Sequence, residues 1–221
     1  RQTGAKFTHL FSSEEYGARL AKALSAEHVV FDPERRIVGA RATDVRENLR
    51  GFRSIVEPLR QRLLRRVCLF GQESTGKSTL AARLSEMLES PWCPEWARSY
   101  LESRFPGEAI SLPQMDAIVS GQYAAEHAAL AVAHAQKAPF LFLDTDLLST
   151  IGYLELYWGG RATPRCEEWY RVRDRLEELY EPADFYILCG DDVPFEPDPL
   201  RYGGDKRETT TEYWEALLQR Y

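Results

Sequence analysis

The sequence predicts an α/β fold, a parallel sheet with flanking helices. Three observations point there. Apolar runs alternate with helical patterns from Arg66 onward, the signature of β-α-β units. Two of those runs, Ala138–Leu143 and Phe185–Cys189, are continuously apolar, as in strands buried on both faces. A third, Val67–Phe70, leads directly into a glycine-bounded loop and then a helix.

Composition agrees with a folded protein. The chain has 221 residues, 44% hydrophobic and 28% charged, which argues against global disorder. That length predicts one large domain, or one domain plus a fragment. With 28 Lys+Arg against 34 Asp+Glu, the net charge is −6. Such a balance speaks against a basic nucleic-acid-binding coat. No apolar run approaches the roughly 18 residues of a membrane span. The start, Arg1-Gln2-Thr3-Gly4, has neither a Met nor a signal-peptide layout, so the chain is expected to be a piece of something longer. Cys68, Cys93, Cys166 and Cys189 form no CxxC pair. They are expected as buried free thiols in a reducing cytoplasm. His127 and His134 stand seven apart on an Ala-rich helical pattern, read as two polar positions on one face.

The elements follow in order. Phe7–Phe11 reads as a strand, and Ser12-Ser13 before Glu14-Glu15 as the start of a helix running to Leu24. His28–Phe31 is a strand ended by Asp32-Pro33. Asp44–Arg66 is an arginine-rich helical pattern that Pro58 breaks or kinks. Val67–Phe70 is a strand, and Ser78–Glu89 a helix. Pro91–Pro94 is a short strand or loop, Glu95–Ser103 a helix, and Pro113–Gln136 a long helix. The strand Ala138–Leu143 follows. No element is assigned between Asp146 and Cys166. Cys166–Tyr180 is a helix, Phe185–Cys189 a strand, Asp191–Lys206 a loop and Thr210–Tyr221 a closing helix.

Gly71-x-x-x-x-Gly76-Lys77-Ser78 is a phosphate-binding P-loop pattern. The glycines let backbone N–H groups turn onto phosphate oxygens. The following helix adds the positive end of its dipole. Lys77 is expected at the β- and γ-phosphates and Ser78 at Mg²⁺. The ATP contacts expected here are Gly71, Ser74, Thr75, Gly76, Lys77, Ser78 and Thr79. Phe140–Asp144 is an apolar strand ending in a carboxylate, as a second Mg²⁺ anchor requires. Asp146 lies two positions on and would point to the same side if the strand continued. One carboxylate is then free to accept a proton from a substrate hydroxyl. Glu95, Trp96 and Arg98 follow another strand end, where parallel sheets place their ligands. Glu95 and Arg98 are expected to hold a polar substrate, with Trp96 or Tyr100 stacking on a base. Arg201 and Arg207 sit in a glycine-containing loop, as in a lid whose cations meet the migrating phosphoryl group.

From Phe7 to Tyr221 the chain resembles the NadR-type bifunctional proteins of NAD synthesis. These join a nicotinamide-nucleotide adenylyltransferase to a ribosylnicotinamide kinase. The P-loop, Trp92–Tyr100, Phe142–Asp146 and Asp198–Arg201 resemble the kinase half. Phe11–Gly17, His28–Pro33 and Ala40–Arg46 resemble the tail of the adenylyltransferase half. The resemblance implies a P-loop NTPase fold of the nucleoside/nucleotide kinase type over 64–221, preceded by a partial α/β nucleotidyltransferase tail over 1–63. It implies transfer of the ATP γ-phosphate to the 5′-hydroxyl of nicotinamide riboside. Four departures stand out. Arg41 replaces the usual serine of the ISxTxxR motif, and no HxGH-type motif is present, so adenylyl transfer is not expected from this chain. Pro199 stands where the family's loop has glycine. The family also usually continues beyond the position of Tyr221 with a further strand and helix.

Two function classes follow. The first is an ATP- and Mg²⁺-dependent kinase for nicotinamide riboside or a related nucleoside. Its candidate catalytic residues are Lys77, Asp144 and Arg201, with either Glu95 or Asp146 as the base. The second is a nucleotide-sensing regulator whose P-loop only reports ATP. No membrane or nucleic-acid partner is expected, and the sequence carries no signal of oligomeric state.

Overall fold

The structure is a computed structural model and describes residues 6–37, 41, 43, 51–104, 110–159, 166–196, 207 and 209–221. It divides into two compact units, Arg1–Arg60 and Gln61–Tyr221. In the first, strand β1 (His9–Ser12) pairs in parallel with β2 (Glu27–Val30). Helix α1 (Tyr16–Leu24) links them. A Cβ on Gly17 would stand 1.8 Å from Ser12 Oγ, so glycine lets the helix pass this close to the strand end. Ser12 Oγ donates to the Glu14 carbonyl and bonds His28 Nε2, both at 2.9 Å. The serines therefore do not cap α1. Glu15 is its N-cap, without a side-chain bond, and Glu14 pairs with Arg35.

The expected helix Asp44–Arg66 lies partly outside the described residues. Within them, a 3-10 turn covers Phe52–Ser54 and helix α2 covers Glu57–Leu63. Pro58 sits in the first turn of α2, where a proline's missing N–H breaks no helical bond. It therefore kinks nothing. Arg65 and Arg66 belong to strand β3 (Arg65–Phe70) rather than to a helix.

The second unit is built on a four-stranded parallel sheet. Its order is β4 (Trp92–Cys93), β5 (Phe140–Asp144), β3 and β6 (Phe185–Leu188). Alternation along β3 sends its side chains to two separate cores. Cys68 and Phe70 join the larger, and Val67 and Leu69 the smaller. Helix α3 (Lys77–Met87) covers the smaller core through Ala81 and Leu84. Four helices cover the larger: α5 (Leu112–Gln136), α6 (Leu147–Trp158), α7 (Glu167–Leu179) and α8 (Thr211–Arg220). Helix α4 (Trp96–Arg104) follows β4. Strand β6 corrects one expectation. It is the edge of the described sheet, and Phe185 is 57% exposed, so it is not buried on both faces. Cys166 corrects another, being exposed, while Cys68, Cys93 and Cys189 are buried free thiols.

Local chemistry fixes the helix ends. Ser111 and Gln114 form a capping box at the start of α5, with the Ser111 N–H donating to Gln114 Oε1 at 2.6 Å. Lys137 ends it in the left-handed region, φ 56°. Helix α6 has no counterpart in the sequence reading. Its buried Leu147, Leu148, Ile151 and Leu154 follow helical spacing, and Asp146 caps it. Among the described residues no helix is long and apolar enough to cross a membrane.

Trp214 of α8 is fully buried. Its ring meets Phe70 edge-on at 5.3 Å, and its Nε1 donates to Thr209 Oγ1 at 2.8 Å. Gly152 of α6 makes room for it: a Cβ there would lie 2.6 Å from Trp214 Cζ3 and 2.9 Å from Leu217 Cδ2. Gly152→Val is therefore expected to overpack this contact and cost about 1–3 kcal/mol. Urea unfolding of parent and variant measures the loss.

Candidate active site

Strands β3, β4 and β5 run parallel, so their carboxyl ends open at one side of the sheet. Phe70 leads into the P-loop, Asp144 ends β5, and Glu95 follows β4 by two residues. A cavity of about 370 Å³ lies over these ends. Lys77, Ser78, Glu95, Arg98 and Asp144 all line it, as do Ser74, Thr75, Gly76 and Thr79.

The loop has the backbone that its sequence requires. Gly71 (φ 125°) and Gly76 (φ 78°) both take positive φ, and Ser74 sits in the left-handed region at φ 58°. A Cβ on Gly71 would also stand 2.9 Å from the Cys189 carbonyl oxygen. Thr75 Oγ1 donates to the Gln72 carbonyl at 2.9 Å, and Lys77 Nζ donates to the same oxygen. Burial lowers the Lys77 pKa, while the charges of Glu95 and Asp144 oppose the shift. Its ammonium is thus held beside two acidic residues.

Asp144 is 3% exposed. Burial raises its pKa. The Ser78 hydroxyl, the charges of Lys77 and Arg98, and the Glu95 backbone N–H all oppose that rise. Four of the residues singled out in the sequence thus act on the ionisation of this one carboxylate. Arg98 also pairs with Glu102 at 3.5 Å. The Ser78 hydroxyl and Asp144 carboxylate are hard oxygen donors, a set suited to Mg²⁺.

Two expected substrate contacts lie elsewhere. The strand ends at Asp144, and Thr145 turns through the left-handed region at φ 66°. Alternation stops there, and Asp146 points inward, 1% exposed. Its Oδ1 caps α6 by accepting from the Leu148 N–H at 3.0 Å, and its Oδ2 accepts from the Tyr186 hydroxyl. Trp96 is 39% exposed and does not line the cavity. Its indole leans on α5, so close that a Cβ on Gly121 would lie 1.8 Å from its Nε1. Arg207 holds the Glu73 and Ser74 backbone carbonyls, and Arg201 lies outside the described residues.

Other residues also stand at the site. Gln122 interrupts the apolar stripe Met115, Ile118, Val119 of α5, and that interruption is a readable signal. Its Oε1 accepts from the Trp96 N–H at 2.9 Å, fixing the start of α4, and its Nε2 donates to Glu126 at 2.9 Å. Ser149, Tyr153 and Tyr157 follow one another at four-residue spacing along α6 and line the cavity. The Tyr153 and Tyr157 rings are nearly parallel, with centroids 5.9 Å apart and planes at 16°.

Behind the cavity lies a second acidic group. Burial, helped by the charge of Asp146, pushes Glu126 up to about 8. Burial pushes Asp146 up to about 6 against its bonds from Tyr186 and the start of α6. Tyr186 is driven well above the ordinary phenol range by burial and by Asp146, and its hydroxyl lies 2.8 Å from that of Tyr180.

Residues 66–221 match the family of AAA domains, and the chain belongs to that family. Over 202 residues it is 29% identical to the trifunctional NAD biosynthesis/regulator protein NadR of Salmonella typhimurium, covering 90% of this chain and 47% of that protein. The NadR of Escherichia coli is 29% identical over 204 residues, with the same two shares of 90% and 47%. The chain thus spans about half the length of the curated relatives it matches. A crystal structure of a NadR protein in complex with NR gives a TM-score of 0.61 at 25% identity, covering 97% of this chain and 58% of that one. A NadR structure with NAD and AMP-PNP gives 0.59 at 25% identity, covering 97% and 57%. The chain is homologous to NadR, as its motifs imply, and its fold is that of a kinase-type P-loop NTPase.

The raised acids set a pH dependence. Folded, Glu126 keeps its proton to about 8, against 4.5 for an ordinary glutamate. Between those values the unfolded chain has already released that proton, so rising pH favours unfolding. Glu126→Gln removes the ionisation. It is expected to leave stability near pH 4.5 almost unchanged and to raise it by pH 8, on the order of 4 kcal/mol. Urea melts of parent and variant across this range measure the difference.

Proposed function

We propose that this member of the AAA domain family is an ATP-dependent nucleoside kinase. Its reaction transfers the γ-phosphoryl group of ATP to the 5′-hydroxyl of nicotinamide riboside, giving nicotinamide mononucleotide. The observation that carries this reading is the convergence of Lys77, Ser78, Asp144, Glu95 and Arg98 on one cavity. The relatives support it, since a NadR protein binds NR and another complex holds AMP-PNP.

The chemistry follows from the residues. The P-loop N–H groups and the start of α3 bind the phosphates of ATP. Lys77 leaves the Gln72 carbonyl for the β- and γ-phosphate oxygens. Ser78 and Asp144 would hold Mg²⁺, whose charge would offset that of the phosphates. Glu95 takes the role of base toward the 5′-hydroxyl, because Asp146 is committed to capping α6. Arg98 steadies the substrate beside Glu95, and Arg201 is assigned to the migrating phosphoryl group. The reaction needs no covalent enzyme intermediate, since positioning and charge supply the acceleration.

The cavity also suits a cationic base. Glu73, Glu95, Asp144 and Glu196 all line it. The nicotinamide ring of the riboside is positively charged and planar, and the Tyr153 and Tyr157 faces would attract it. Residues 1–63 are assigned to the C-terminal part of an adenylyltransferase-like domain and 64–221 to the kinase. The buried free thiols fit the cytoplasm as its compartment.

Incubation with ATP, Mg²⁺ and nicotinamide riboside is expected to yield the mononucleotide, detected by chromatography. A folded chain that binds ATP and makes no product would overturn the kinase reading. Lys77→Ala is expected to lower kcat by roughly a hundredfold or more, the usual cost of losing one donor to the developing charge. Asp144→Asn is expected to raise the Mg²⁺ concentration needed for half-maximal rate, read by titrating the metal at saturating ATP.

A further inference from the structure

Arg207 does something different from what its place in a cationic loop implies. Its Nε donates to the Glu73 carbonyl at 3.3 Å, and its Nη2 to the Ser74 carbonyl at 3.0 Å. Its Nη1 donates to the Asp191 carbonyl at 3.5 Å, and Nη2 also to that of Val193. Four bonds occupy a guanidinium that has five N–H donors. The group also lies over the Phe195 ring, 5.9 Å from its centroid. Two of the four carbonyls belong to the P-loop. The other two belong to the segment after β6, whose Glu196 N–H donates to Ser74 Oγ at 2.8 Å.

A peptide group is planar, with its N–H and C=O pointing opposite ways. A loop that turns N–H groups inward onto phosphate must turn carbonyls outward. The Glu73 carbonyl shares its peptide with the Ser74 N–H, and the Ser74 carbonyl shares its peptide with the Thr75 N–H. Holding both carbonyls from outside therefore fixes both N–H groups on the inside. A charged donor suits this task, because hydrogen bonds from a guanidinium are roughly twice as strong as neutral ones.

We propose that Arg207 is a positioning residue: it orients the Ser74 and Thr75 peptides of the P-loop from behind, and does not contact the migrating phosphoryl group. The proposal rests on the nucleotide-binding part of the function proposed above. It assigns Arg207 to every nucleotide that fills the loop, not to the γ-phosphate alone.

Titration calorimetry of parent, Arg207→Ala and Arg207→Lys with MgADP and with MgATP tests it, without nucleoside present. Loss of preorganisation is expected to weaken ADP and ATP by the same factor, about tenfold. Arg207→Lys is expected to behave like Arg207→Ala, because an ammonium cannot fork across these carbonyls. In turnover assays KM for ATP should rise while KM for nicotinamide riboside stays unchanged. A loss confined to ATP, with ADP binding intact, would overturn the proposal in favour of direct phosphoryl contact. Full recovery by lysine would overturn it too, since charge alone would then suffice. Should the alanine variant fail to fold, the lysine variant carries the same comparison. A parent that binds ADP but makes no mononucleotide removes the kinase reading and leaves this assignment standing.

Discussion

A parallel sheet with helices on both faces has no room for charge in the buried stretch of its strands. Val67 and Leu69 are buried in one core, and Cys68 and Phe70 in the other. Any polar chemistry must therefore collect where the strands end. Asp144 ends β5, Glu95 follows β4 by two residues, and Lys77 and Ser78 open the helix that the loop after β3 leads into. Packing at these ends also desolvates Lys77 and Asp144. That explains why Lys77 is lowered and Asp144 raised while each partly offsets the other.

The same constraint shapes the backbone. Carbonyls at the turn out of β3 cannot join a ladder, so each needs another donor. Thr75 and Lys77 serve Gln72, and Arg207 serves Glu73 and Ser74. Under the proposed function the lysine bond is made by a group that ATP would recruit, whereas the arginine bonds come from outside the loop. A loop built this way is held open for phosphate by contacts that phosphate does not replace.

Much of this was legible in the chain. The P-loop and β5 announce themselves because their signals are local: a glycine spacing, an apolar run and a terminal aspartate. Asp146 does not share the side of Asp144, because the strand stops at Asp144 and period-2 alternation does not carry two residues beyond it. Thr145 breaks it with a left-handed φ that a threonine does not advertise. The place of Trp96 against α5 was not legible, because its neighbour Gly121 is distant in sequence and gives no sign of the contact. Helix α6 was readable in principle, since Asp146 and the leucines after it form a cap and a stripe. Arg207 could be recognised as a cation but not as a clamp, because its four carbonyls come from two separate segments.

Helix α6 has a divided inheritance. Leu147, Leu148, Ile151 and Leu154 answer to the core, while Ser149 and Tyr157 answer to the cavity. Substitutions on the cavity side can accumulate in a lineage without unfolding the protein, and they are where substrate preference is free to drift. Tyr153 belongs to both sides. It lines the cavity and also packs on Trp214, with centroids 5.1 Å apart. Each replacement there is screened twice, once for packing and once for the ligand. Position 153 should therefore be the slowest of the three to diverge among descendants that take different nucleosides.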